Sequence, residues 1–85
     1  ELAGLKAAVD AAPEDHQARL DLANAIMAAG DRDGAAEALL HIIAADREWN
    51  DGAAKARLLE IFAVIGLEDP WVSATRRKLS AILFG

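Results

Sequence analysis

Apolar side chains recur every three or four residues along most of the chain, and short polar breaks divide this pattern into five segments. Such spacing places the apolar side chains on one side of an α-helix. We expect these residues to be core positions rather than cofactor contacts. From the second segment to the fifth they are Leu22, Ala23, Ile26 and Met27; Ala35, Ala38, Leu39, Ile42 and Ile43; Leu58, Ile61, Phe62 and Ile65; and Val72, Leu79, Ile82 and Leu83.

The residues at the breaks predict where each helix begins and ends. Aspartate and asparagine accept hydrogen bonds from the free amides of a first turn, and glycine adopts the left-handed conformation that ends many helices. Proline is tolerated at the first helical position. Because all connections are short, the sequence predicts an all-α domain of five antiparallel helices. The predicted boundaries are residues 2–12 before Pro13, Asp15 to Gly30, Asp31 to about Ala45, Asn50 or Asp51 to Gly66, and Asp69-Pro70 onward.

An internal repeat relates the second and third helices to the fourth and fifth. Displacing the sequence by 36 residues places Leu22 on Leu58 and Gly30 on Gly66. Self-similarity at this period is typical of stacked helical repeats. We therefore expect one domain, residues 1–85, that contains the second helix of a partial repeat at residues 1–13, a complete repeat at 14–49 and an atypical terminal repeat at 50–85.

The central helix pair resembles the tetratricopeptide repeat in seven positions, which are Leu22, Ala23, Ile26, Gly30, Ala35, Leu39 and Ile42. In that family, small residues at the positions of Ala23 and Ala35 allow the two helices of a repeat to cross closely. The sequence departs from the pattern at Arg19 and Arg47, and Trp71 stands at a small crossing position of the last pair. The resemblance implies a right-handed helical stack with the first helix of each pair on its inner side.

The second half of the chain has a narrower resemblance, carried by residues 46–55, Leu58, Phe62, Gly66, Asp69-Pro70, residues 76–80 and residues 82–84. This pattern resembles the C-terminal region of bacterial thioredoxin-like co-chaperones of the YbbN or CnoX type. The resemblance implies a module that binds unfolding client proteins or partner chaperones, with a thioredoxin domain upstream. Any role in thiol redox homeostasis would belong to that domain, and we expect this chain to be excised from a longer protein.

Charge is unevenly distributed along the chain. The net charge is −5, and all 14 acidic residues precede residue 70. In residues 70–85 the charged side chains are all basic, and they are Arg76, Arg77 and Lys78. An acidic body argues against a nucleic-acid partner, because affinity for nucleic acid depends on neutralising phosphates. The basic triplet would either dock an acidic partner or form the solvated end of a helix, where cations complement the helix dipole.

The sequence lacks the residues that several functional classes require. Without cysteine the chain has no disulfide or thiolate zinc site. Glu37 and His41 would supply only half of a metal site, and Ser73 and Ser80 lack an activating base. The longest uncharged stretch, residues 22–30, is too short to span a membrane, and no secretory pattern is present. We expect no enzymatic activity, no cofactor, no membrane partner and a cytoplasmic location.

The inner side of the predicted stack is the first candidate binding face. Leu20, Met27 and Val64 would form a partly apolar strip there, and methionine adapts to varied peptides. Alternatively, these residues would close a compact bundle or an oligomer contact. A carboxylate clamp is not predicted, because Leu20 and Ala53 occupy the positions where lysines are required. The predicted face consists of Gln17, Leu20, Asp21, Asn24, Met27, Arg57, Glu60 and Val64.

The two tryptophans and the end of the chain could each serve either in packing or in binding a partner. Trp49 and Trp71 lie at helix starts, where each would either pack against the first turn or anchor a partner. Residues 82–84 would pack beneath the fourth helix or form a homo-oligomer contact. Three functions therefore stay open: a co-chaperone module for clients or chaperones, an adaptor for one defined peptide, and an oligomerisation or interdomain-packing unit.

Overall fold

The structure is a computed structural model that describes residues 2–85. Residues 2–85 form five α-helices, and none of these is long and apolar enough to cross a membrane. The predicted all-α helical stack is therefore confirmed. A short 3-10 turn at Trp49–Gly52 precedes the fourth helix. The helices are α1 Leu2–Ala11, α2 His16–Ala28, α3 Arg32–Ala45, α4 Ala53–Ile65 and α5 Pro70–Phe84.

Three aspartates cap helices as the sequence predicts. The side chains of Asp15, Asp31 and Asp69 accept hydrogen bonds from backbone amides two or three residues further along, at 3.2, 2.9 and 2.8 Å. Gly30 follows α2 with a φ of 96°, and Gly66 follows α4 with a φ of 115°. Local capping chemistry thus determines the ends of α2 and α4 and the starts of α2, α3 and α5.

The start of α4 differs from the prediction. Asn50 and Asp51 do not cap it, because both have left-handed backbone conformations, with φ values of 51° and 55°. Gly52 is the residue before α4, has a φ of 79°, and forms no side-chain cap. Asparagine, aspartate and glycine suit helix caps and also tolerate the left-handed conformation. The same residue types therefore allow two local structures, and in this chain they form a turn.

Helix α3 lies at the centre of the stack. Its backbone closely approaches α2, α4, α5 and the 3-10 turn, whereas α1 packs mainly against α2. Half of the α3 side chains are buried, so its apolar surface faces several neighbours at once. In α1, by contrast, only Val9 is buried. The buried residues of α3 are Ala35, Ala36, Ala38, Leu39, Leu40, Ile42 and Ile43.

The two helix pairs differ in how closely their backbones approach. Helices α2 and α3 lie close together, and the predicted crossing residues Ala23 and Ala35 are 1% and 0% exposed. Helices α4 and α5 have few close backbone approaches. Phe62 of α4 and Trp71 of α5 lie against each other instead, with ring centroids 6.2 Å apart in an edge-to-face arrangement. Bulky side chains therefore separate the second pair.

We expect Ala35→Leu to lower the free energy of unfolding by about 1–3 kcal/mol, because the added side chain has no space beside α2. Urea denaturation followed by circular dichroism would measure the loss. Ala45→Leu is the matched control, since Ala45 is exposed at the end of the same helix, and it should change stability by no more than about 0.5 kcal/mol. Equal stabilities for the two variants would show that the crossing does not require a small residue.

Candidate functional site

Helices α2 and α4 are joined by a polar cluster on one side of the molecule. The Nε of Arg57 donates a hydrogen bond to Oδ1 of Asn24 at 2.8 Å. The Nη1 of Arg57 also lies 3.3 Å from Oε1 of Glu60. On α2, Gln17 donates to Asp21 at 2.9 Å. The structure therefore brings Asn24, Arg57 and Glu60 of the predicted inner face together, and Gln17 pairs with Asp21 along the same helix.

The apolar members of the predicted inner face do not form one exposed strip. Leu20 and Met27 are partly buried against the core, whereas the side chain of Val64 is 83% exposed. Leu20 and Met27 lie three and four residues from Ala23 and thus share its side of α2. Because Ala23 is buried, these two side chains turn toward the core. The inner face is consequently more polar than the sequence indicates.

The basic triplet of α5 is divided between two sides of the helix. The Nζ of Lys78 lies 3.3 Å from Oε2 of Glu37 on α3. Arg76 and Arg77 lie on another side of α5, where they line a groove together with Leu59 of α4. Successive residues of an α-helix point about 100° apart, so three neighbours in sequence need not share a surface. The predicted docking patch therefore contains Arg76 and Arg77, while Lys78 pairs within the fold.

A groove runs between α4 and α5, and we call it the α4–α5 groove. It consists of two depressions, of about 680 and 380 Å³, that share Leu59 and Leu83. The larger depression lies beside the 3-10 turn and the start of α4. The sequence pattern did not single out Leu59, which adjoins the buried Leu58 and is 46% exposed. The lining of the groove includes Lys55, Leu59, Arg76, Arg77, Leu83 and Phe84.

Exposed apolar side chains are concentrated in α4, α5 and the loop between them. In residues 2–85, the large apolar side chains that are exposed are those of Leu59, Val64, Leu67 and Phe84, at 46%, 83%, 60% and 85%. Soluble domains rarely leave several large apolar groups uncovered on one part of the surface unless that part binds something. This half of the molecule is therefore the better candidate for contact with another protein.

Both tryptophans contribute to the packing of the fold. The indole of Trp71 donates a hydrogen bond to Asp33, and the guanidinium of Arg32 lies 5.1 Å from the centre of its ring. These contacts tie the start of α5 to the start of α3. Trp49 lies edge-to-face against His16, with ring centroids 5.7 Å apart. Each indole is partly buried and has a structural partner, so neither is a free anchor.

His41 lies on α3 and faces a depression that Arg19 of α2 also lines. Partial desolvation at an otherwise exposed site lowers the pKa of His41, and the positive charge of Arg19 and the nearby His16 lower it further. Glu37, one turn earlier on α3, pairs with Lys78. No group of three potential metal ligands occurs in residues 2–85. Glu37 and His41 therefore have charged neighbours within the fold, Lys78 for Glu37 and Arg19 for His41.

The lowered pKa of His41 predicts how stability depends on pH. In the unfolded chain this imidazole titrates near its usual pKa of about 6.5, whereas in the folded chain it titrates at lower pH. Its contribution to stability is therefore complete above the unfolded pKa and is lost as the pH falls toward the folded pKa. We expect the Tm to fall between about pH 7.5 and 5.5, and to fall less in His41→Gln.

Scanning calorimetry of both proteins at each pH would measure this difference. Ser80→Ala is the matched control, because Ser80 is exposed, carries no charge and lines the depression beside Arg76 and Arg77 rather than the one that contains His41. A Tm that depends on pH equally in the native chain and in His41→Gln would contradict the assignment.

Comparison with known proteins agrees with this architecture. The family model described as Tetratricopeptide repeat matches residues 1–84 of the 85-residue chain. No curated protein and no solved structure matches it. The match covers nearly the whole chain, and the five helices, the closely crossing α2–α3 pair and the glycines after α2 and α4 agree with it. The chain belongs to the tetratricopeptide-repeat family.

Proposed function

We propose that this chain is the protein-binding module of a thioredoxin-like co-chaperone, where it binds unfolding proteins or partner chaperones. Tetratricopeptide repeats generally mediate protein–protein interaction. The resemblance of residues 46–55, 69–70 and 76–80 to the C-terminal region of these co-chaperones supports the narrower assignment. The proposal includes a half repeat followed by two helix pairs, a thioredoxin domain upstream and a cytoplasmic location.

The observation that carries the proposal is the exposure of two large apolar side chains, Val64 at the end of α4 and Leu67 in the loop that follows it. Unfolding proteins expose apolar segments that a folded protein buries. A surface that presents Val64 and Leu67 to solvent has the complementary chemistry. The net charge of −5 opposes self-association while these groups stay uncovered.

Binding alone accounts for the proposed activity. The tetratricopeptide repeat is a non-catalytic interaction fold. The polar cluster of Asn24, Arg57 and Glu60 has its charges partly neutralised within the fold. Capture of a peptide carboxylate there would require it to compete with Glu60 for Arg57, and lysines are absent at Leu20 and Ala53. The proposal therefore assigns client contact to the exposed apolar groups rather than to a carboxylate clamp.

We expect the chain to slow the aggregation of a heat-unfolded test protein, measured by light scattering. For the double variant Val64→Ser, Leu67→Ser, the concentration that slows aggregation equally should be at least about tenfold higher than for the native chain. The reason is that each apolar side chain that becomes buried in the contact contributes about 1.5–3 kcal/mol. Ala63→Ser is the matched control, since Ala63 is exposed on the same helix and presents little apolar surface.

Two results would contradict the proposal. The first is an absence of any effect of the native chain on aggregation, although circular dichroism shows that it is folded. The second is self-association of the chain that Phe84→Ser abolishes, which would support an oligomerisation unit instead. Size-exclusion chromatography with light scattering distinguishes that second case, because it reports the mass of the free chain directly.

A further inference from the structure

The α4–α5 groove has an apolar floor between two helices. Leu59 of α4 and Leu83 of α5 line both of its depressions, so this floor is continuous from one to the other. Lys55 lies one helical turn before Leu59 and therefore stands on the same side of α4. On α5, Arg76 and Arg77 precede Leu83 by seven and six residues, about two turns. Cations thus border the floor on both helices.

The cations of the groove lack acidic partners within the fold. The ion pairs found in residues 2–85 join Arg57 to Glu60 and Lys78 to Glu37. No carboxylate of these residues therefore lies within 4.0 Å of the charged groups of Lys55, Arg76 or Arg77. Helix α5 itself contains no acidic residue. In a chain with a net charge of −5, this arrangement leaves a local excess of positive charge beside uncovered apolar surface.

The end of the groove nearest the 3-10 turn differs in charge from its middle. There the Nη1 of Arg47 donates to the backbone carbonyl oxygen of Leu83 at 3.2 Å, which ties the segment before the turn to the end of α5. Glu48 and Asp51 also line this end. The excess of positive charge therefore lies toward the middle of the groove, around Leu59, Arg76 and Arg77.

The shape of the groove is suited to a helix. In stacked helical repeats, the side chains of each helix pack into the groove between the two helices of the adjacent pair. Helices α4 and α5 are 13 and 15 residues long, which corresponds to about 20 Å at 1.5 Å per residue. Because Phe62 and Trp71 hold their backbones apart, the groove between them is open, and no helix of residues 2–85 covers it.

We propose that the α4–α5 groove binds an acidic amphipathic helix of a partner protein. Leucine-like side chains along one side of that helix lie on Leu59 and Leu83, and carboxylates along its flanks pair with Lys55, Arg76 and Arg77. The inference rests on the proposed function, in that it names one class of partner for a protein-binding module. It concerns a different surface from the one tested with Val64 and Leu67, so the two can fail separately.

The test uses a fluorescein-labelled helical peptide of about four turns, with leucines along one side and glutamates on both flanks. Fluorescence anisotropy measures its affinity for the 85-residue chain. A second peptide carries lysine in place of every glutamate. We expect the glutamate peptide to bind and the lysine peptide to bind at least about tenfold more weakly, with the difference shrinking at about 1 M salt because the charges are then screened.

Substitutions in α5 and α4 test the contribution of individual groove residues, with one matched control. Arg76→Gln and Arg77→Gln should each weaken binding of the glutamate peptide by about three- to tenfold, which corresponds to about 0.7–1.4 kcal/mol at 1.4 kcal/mol per tenfold change. Lys78→Gln should leave the affinity unchanged, because Lys78 pairs with Glu37 on another side of α5. Leu59→Ser should weaken binding without altering its dependence on salt.

Amide chemical shifts in NMR spectra of the labelled chain would locate the peptide. Changes should centre on Lys55, Leu59, Arg77 and Leu83 and should not centre on Asn24. No binding of the glutamate peptide, equal binding of the lysine peptide, or an equal loss on Lys78→Gln would overturn the inference. Suppression of aggregation by the native chain in the same samples would show that the proposed function survives that failure.

Discussion

The burial of α3 between α2, α4 and α5 is the constraint on which the rest of the structure depends. Leu39 and Ile42 are completely buried, and each such side chain contributes about 1.5–3 kcal/mol when it leaves water. In an isolated helix of this length, the apolar surface of α3 would have no cover. Its neighbours can pack only where they cover that surface, so α3 determines the positions of α2, α4 and α5 relative to one another.

This arrangement gives α4 two separate exposed sides. Its buried side, which includes Leu58 and Ile61, faces the core. Arg57 and Glu60 lie along one flank and meet α2 through Asn24, whereas Lys55 and Leu59 lie along the other flank and face the groove. A helix covered on one side only can thus serve two surfaces of different chemistry.

Trp71 connects the stability of the stack to the groove. Its ring packs against Phe62 and beneath Arg32, and its indole donates to Asp33. The same bulk prevents α5 from approaching α4 as closely as α3 approaches α2. Leu59 is exposed as a consequence. Trp71 stands where the repeat pattern has a small residue. It therefore stabilises the start of α5 and also leaves the apolar surface of Leu59 available for a partner.

The sequence by itself determined the helices and most of their ends, because periodicity and capping by Asp15, Asp31 and Asp69 depend on residues close in the chain. It also indicated the small crossing residues of α2 and α3, since these follow from the repeat. Only the tertiary structure decided which neighbours cover each side of a helix. For this reason it turned Leu20 and Met27 inward, separated Lys78 from Arg76 and Arg77, and left Leu59 in an open groove. The left-handed turn at residues 50–52 also could not be predicted from the sequence, because its residue types suit two local structures equally.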